Sequence, residues 1–211
     1  ETFAVNVQGS VNVLDACRRV SGLEAIVAVT SDKCYENREW VWPYRESDPL
    51  GGHDPYSASK GAAEIVIASY RNSFFNTDNT AQLASVRAGN VIGGGDFAMD
   101  RILPDCIRAF LNNETVVLRN PLASRPWQHV LESLSGYMTV ANQLIDRPNE
   151  VAGAWNFGPD PENVRTVQEL SETVIDILGT GEIRIEQNAD QLHETNLLLL
   201  NSDKAKAKLG C

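Results

Sequence analysis

Residues 25–30, Ala-Ile-Val-Ala-Val-Thr, place the tightest limit on the fold. The run is apolar and partly β-branched, and it is too short for a stable helix, so it reads as a strand. It has no polar face and must be covered on both sides, as strands of parallel sheets are. A second such run spans 82–88, and shorter ones span 115–119, 154–157 and 182–186. Between them the apolar spacing is helical. Residues 3–19 carry Phe3, Val7, Val11, Leu14 and Cys17 on one face, and residues 56–71 carry Ala58, Ala62, Ile65, Val66 and Ser69. Further helices are expected from Pro104 to Leu111 and over 131–145. Thr166 and Glu169 form a capping box for a helix over 167–178, Gly179 can end it, and Ser202 can cap a last helix. A polar loop rich in Trp, Pro and Gly fills 36–55. Strands alternating with helices predict an α/β sheet with right-handed crossovers.

The 211 residues, 43% of them hydrophobic, suffice for one core or a core with a small lobe. A formal net charge of −10 argues against nucleic acid, which demands a basic stripe. It still allows a small anionic ligand held by a few arginines. No apolar run approaches the roughly 20 residues that span a bilayer. Cys17, Cys34, Cys106 and Cys211 form no CxxC pair and no metal spacing with His53, His129 or His193. No metal is therefore expected, and scattered thiols suit the cytoplasm. The first residues already read as helix, without an initiating Met, which suggests a chain that begins inside a domain.

The chemistry centres on Tyr56-Ser57-Ala58-Ser59-Lys60. Tyr and Lys four residues apart share a helical face, and a nearby ammonium favours a phenolate. Such a phenolate can take a proton from a sugar hydroxyl as hydride leaves the same carbon. Upstream, the strand 25–30 runs into Ser31-Asp32-Lys33, which offers a donor, an acid and an amine. Ligands of open α/β sheets lie at such carboxyl ends. Gly93, Gly95 and Ala98 formally match a dinucleotide fingerprint. Asp96, Asp100 and Pro104 contradict that reading, because they bring negative charge to the turn and delay the helix. A flexible glycine turn beside a substrate site fits better.

Ser31, the YxxxK helix and Val86-Arg87-Ala88-Gly89-Asn90-Val91-Ile92-Gly93 resemble the extended short-chain dehydrogenase/reductase family. Several stretches make the chain similar to its nucleotide-sugar 4,6-dehydratases. They are Ser31-Asp32-Lys33, where most sugar dehydratases carry Thr-Asp-Glu, Tyr35 to Trp40, Asp48 to Tyr56, Arg125 to Val130, and His193-Glu194. Phe97, Ser133 and Cys211 depart from the pattern outside the chemistry.

The resemblance implies a doubly wound, Rossmann-type parallel sheet with a small mixed α/β substrate lobe, bound NAD and a homodimer. It implies that 1–92, with 120–157 returning, form part of the NAD-binding domain, whose fingerprint half would precede Glu1. Residues 93–119 and 158–211 would form the nucleotide-sugar lobe. Without the fingerprint half, the isolated chain is expected to bind NAD poorly and not to turn over. Tyr56 would deprotonate the 4-hydroxyl, Lys60 would hold the nicotinamide ribose, and Ser31 would bond the C4 oxygen. Asp32 would protonate the departing C6 hydroxyl. Lys33 would be the C5 base or would stabilise the enolate. Val29, Thr30, Asn90 and Val91, with Tyr56 and Lys60, would contact the cofactor. Asn90, Arg101, Arg125, His193 and Glu194 would contact substrate. The implied substrate is CDP-glucose, feeding deoxysugar and lipopolysaccharide synthesis, although no residue physically reads out cytosine. A 4-epimerase on the same fold would need no acid–base pair for C5 and C6. A non-catalytic nucleotide-binding relative would typically lack the Tyr or the Lys.

Overall fold

The computed structural model describes residues 1–77, 80–186 and 197–210. A π-helical turn, Ala4–Gln8, runs into α1 (Gly9–Cys17), followed by β1 (Ala25–Val29), a 3-10 turn (Asp32–Cys34) and α2 (Pro55–Phe74). Then come β2 (Gln82–Ala88), β3 (Val91–Ile92), α3 (Ile102–Leu111), β4 (Thr115–Leu118), β5 (Ser124–Arg125) and β6 (Gln128–His129). The chain continues through α4 (Val130–Asp146), α5 (Pro148–Val151), β7 (Ala154–Phe157), β8 (Arg165–Thr166), α6 (Val167–Leu178), β9 (Glu182–Ile185) and α7 (Asp203–Leu209).

The expected parallel sheet has the strand order β1-β2-β7. Val27 lies opposite Ala84 and Val86 opposite Trp155. Alternation along β2 sends successive side chains to opposite faces. Leu83 packs with Leu14, Ile67 and Phe75 from the α1–α2 side. Ala84 and Val86 pack with Val140, Leu144 and Trp155 beneath α4 and α7. A second core joins α3 and α6 over the parallel pair β4–β9, with Cys106, Phe110, Val116, Leu118 and Val174 inside. An aromatic pack of Tyr35, Trp40 and Tyr44 anchors the long loop against Leu198 and Leu200.

Local signals account for most boundaries. Thr166 Oγ1 accepts from the Glu169 amide while Glu169 accepts from the Thr166 amide, and Gly179 ends α6 at φ 69°. Three expectations need correction. The first helix opens as a π turn and stops at Cys17, and Phe3 is exposed. On α2 the buried face is Ser57, Ser59, Gly61, Ala63, Glu64 and Ile67, whereas Ile65 and Ser69 point outward. Polar partners at the sheet make that small and polar face the inner one. Ser202 does not cap α7 with its side chain; its hydroxyl instead exchanges hydrogen bonds with the Gly158 backbone.

Gly136 marks the closest approach of α4 to the sheet. A Cβ there would meet the Phe157 ring, with Cζ at 2.9 Å and two ring atoms nearer still. Alanine gains about 1 kcal/mol of helix propensity, but overpacking typically costs about 1–3 kcal/mol. Gly136→Ala is therefore expected to lower unfolding stability by up to about 2 kcal/mol net, read from the denaturant midpoint.

Candidate active site

Asp54 and Pro55 begin α2. Asp54 Oδ1 accepts from the amides of Tyr56 and Ser57 at 2.9 and 3.0 Å, and its other oxygen accepts from the Ser57 hydroxyl at 2.6 Å. The Ser57 hydroxyl and those amides hold the Asp54 carboxyl below the ordinary aspartate range. This cap plants Tyr56 in the first turn of the helix, half exposed, beside the carboxyl ends of the strands.

At the tip of β1, Ser31 turns the chain into the 3-10 segment. Its hydroxyl accepts from the Lys33 amide at 3.2 Å and donates to Asp32 Oδ1 at 2.8 Å. Asp32 is 6% exposed. Burial pushes its carboxyl above the ordinary range, against the opposing pull of the Lys33 charge, the Ser31 hydroxyl and the Arg125 guanidinium. A buried acid that holds its proton more tightly suits proton donation. Gly89 comes close to Asp32, since a Cβ there would lie 3.6 Å from Oδ2.

A cleft of about 710 Å³ opens in front of these groups. Ser31, Asp32, Lys33 and Tyr56 line it, together with Asn90 and Val91. Arg101, just before α3, and Arg125, on β5, line it too. Lys60, Val29 and Thr30 lie elsewhere. They border a neighbouring groove of about 390 Å³ between β1, the π turn and α2. The Lys60 ammonium stands 5.8 Å from the centre of the Tyr56 ring, so one helical turn links the two cavities. The groove fits a dinucleotide at its nicotinamide end: it offers an ammonium for a ribose hydroxyl and an apolar strand tip for a flat ring. His193 and Glu194 lie outside the described residues.

Two polar cleft residues escaped the sequence reading, Arg119, which follows β4 directly, and Asn120 beside it, whereas Asp96 and Asp100 come from the glycine turn already read as bordering a substrate site. The rule that ligands gather at carboxyl ends of strands, applied to 115–118, would have found Arg119. The turn containing Gly95, at φ 85°, borders the cleft, as expected of a substrate-side loop.

The fold and site define a class of protein, and the chain belongs to the NAD dependent epimerase/dehydratase family, which it matches over residues 1–158. It is 49% identical over 214 residues to CDP-glucose 4,6-dehydratase of Salmonella typhimurium, covering 100% of this chain and 60% of that protein. It is 30% identical to a dTDP-glucose 4,6-dehydratase of Streptomyces antibioticus, covering 97% of this chain and 57% of the relative. Its fold superposes on a dTDP-glucose 4,6-dehydratase of Bacillus anthracis solved in complex with NAD, with a TM-score of 0.81 and 22% identity, over 99% of this chain and 62% of that one. The chain thus spans about three fifths of the length of these curated relatives.

Proposed function

We propose that this chain acts in a nucleotide-sugar 4,6-dehydratase that converts CDP-glucose to CDP-4-keto-6-deoxyglucose with NAD as cofactor. One observation carries the reading: Tyr56, Ser31, Asp32 and Lys33 line one cleft together with Arg101, Arg119 and Arg125. The 49% identity to the Salmonella enzyme supports the CDP-linked substrate.

When bound, NAD supplies the acceptor for the C4 hydrogen and its later return to C6. Tyr56 takes the 4-hydroxyl proton, and Lys60, from the neighbouring groove, holds the ribose. Ser31 donates to the C4 oxygen. The new ketone acidifies the C5 hydrogen, which Lys33 removes when its side chain is the free amine. Asp32 delivers its proton to the C6 hydroxyl, which leaves as water. The returned hydrogen at C6 and a proton at C5 complete the 4-keto-6-deoxy sugar with no second substrate. Arg125 and Arg101 hold the diphosphate, since guanidinium forks match phosphate oxygens. Asn90, His193 and Glu194 complete the substrate contacts, and Val29, Thr30 and Val91 those to the cofactor.

Residues 1–92 and 120–157 are assigned to the cofactor side, and 93–119 and 158–211 to the nucleotide-sugar lobe. The β1-β2-β7 sheet supports the first and the β4–β9 pair the second. A homodimer through α1 and α2 is in keeping with exposed Val13 and Ile65, each 61% accessible. Cytoplasmic deoxysugar synthesis for lipopolysaccharide fits the free thiols of Cys17, Cys34 and Cys106. No helix among the described residues is long and apolar enough to cross a membrane.

The test incubates the full-length protein with CDP-glucose and NAD in heavy water. Dehydration incorporates deuterium at C5 and removes the C6 hydroxyl. A product that keeps that hydroxyl and is inverted at C4 would identify an epimerase instead, and an unchanged sugar would refute catalysis. Lys33→Met is expected to slow C5 exchange by about 100-fold or more, the usual worth of a positioned base. Wild-type exchange in both Lys33→Met and Lys33→Glu would remove Lys33 from that role.

A further inference from the structure

A buried ion pair lies behind the site, one turn beyond Lys60. Glu64 of α2 and Arg87 of β2 are each 3% exposed, and Arg87 Nη2 lies 2.7 Å from Glu64 Oε2. Arg87 Nε donates to Glu64 Oε1 at 2.8 Å, which makes the contact a two-pronged fork. Such forks fix orientation as well as distance. Glu64 also accepts from the Ser85 hydroxyl at 2.8 Å and from the Thr30 hydroxyl, the residue just before Ser31. The third Arg87 nitrogen, Nη1, donates to the Tyr35 hydroxyl at 2.6 Å, and Tyr35 donates in turn to Asn156 Oδ1 of β7 at 2.8 Å. Tyr35 closes the 3-10 turn that carries Asp32 and Lys33.

The same pair therefore holds three separate pieces of the cleft: the helix bearing Tyr56 and Lys60, the strand tip leading to Ser31, and the far end of the Asp32–Lys33 turn. Burial disfavours a charged Glu64, but the Arg87 fork, with Thr30 and Ser85, more than offsets it and leaves the carboxyl below its ordinary range. An apolar pair would bury as easily, because replacing a buried ion pair by neutral groups is often neutral or stabilising. Stability alone thus gives no reason for a fork at this point.

We infer that Glu64 and Arg87 are positioning residues: their fork sets the α2 helix against the tip of β1 and so fixes where the Tyr56 phenol stands relative to Ser31 and Asp32. The inference rests on the dehydratase reading of the cleft. It makes Glu64 and Arg87 act through Tyr56 and Ser31, touching neither sugar nor cofactor.

The test uses the full-length protein. The double variant E64Q/R87M removes both charges together and leaves neither stranded, so it is expected to melt near the wild type. Its kcat should fall about 100-fold with KM within about twofold, since misplacement of the order of 1 Å costs that much. A folded double variant with wild-type kcat overturns the inference. Arg87→Lys keeps a cation beside Glu64 but cannot form the two-pronged fork. If the double variant fails to fold, Arg87→Lys decides: a fall in kcat of about tenfold in a variant that stays folded at the assay temperature supports positioning, and an unchanged kcat overturns it. If the wild type turns over no nucleotide sugar, the functional reading falls and crystal structures of wild type and Arg87→Lys decide the geometry. A Tyr56 hydroxyl displaced from Ser31 supports the inference, and an unmoved one overturns it.

Discussion

Tyr56→Phe is expected to leave a folded protein that still binds nucleotide sugar but has lost turnover by about 100- to 10,000-fold, the range for a positioned proton-transfer group. The ring stays, so packing in the first turn of α2 is untouched. The Asp54 cap contacts only the Tyr56 backbone and is also retained. The phenol is half exposed and makes no side-chain hydrogen bond among the described residues, so deleting its oxygen strands no partner there. Loss of kcat without a comparable rise in the binding constant, measured by titration with CDP-glucose, is the expected pattern. A drop in melting temperature that accounted for the lost activity would contradict it.

Asp32→Asn carries the second large effect and splits the reaction in two. In the proposed mechanism oxidation at C4 needs Tyr56 and Ser31 and should survive, whereas loss of the C6 hydroxyl should slow by about 100- to 10,000-fold. A C4-oxidised sugar that still carries its 6-hydroxyl should then accumulate on the protein, visible by mass spectrometry after quenching. The same change has a thermodynamic signature. Folding raises the Asp32 pKa, chiefly by burial, so the folded state holds the proton more tightly than the unfolded chain. That contribution is intact below the ordinary carboxylate pKa and is lost as pH rises through the raised value. Asparagine has no charge to bury. Asp32→Asn should therefore melt higher than wild type at neutral pH, by roughly 2–4 °C for each kcal/mol recovered, and the gap should close in acid. The same shift should make wild-type dehydration fail as pH rises and Asp32 ionises.

The sheet was readable because 25–30 and 82–88 are apolar on both faces and have no alternative but burial between layers. The α6 cap was readable because Thr166 and Glu169 stand at the spacing that lets each satisfy the other's amide. The inner face of α2 was not. A search for apolar periodicity selects Ile65 and discards Glu64, yet Glu64 is buried because Arg87, far off in sequence, arrives at the same spot. The likeness to sugar dehydratases pointed to Ser31, Asp32, Lys33, Tyr56, Asn90 and Arg125, which the fold gathers in one cleft. Spacing alone put Tyr56 and Lys60 together on a face but could not tell that they open onto different cavities. Arg119 was missed because a lone arginine after a short strand looks like any surface charge until β4 aims it at the cleft. Ser202 looked like a helix cap, but the Gly158 backbone offers its hydroxyl both a donor and an acceptor.

One rigid rod, α2, carries both Tyr56 and Lys60, so whatever shifts the helix shifts the two together. On the proposed reading, a change of hexose or nucleotide preference arises where Arg101, Arg119 and Arg125 line the cleft, on three independent segments. Those segments are then free to vary while the oxidation step keeps its geometry, which separates what the scaffold recognises from what it does.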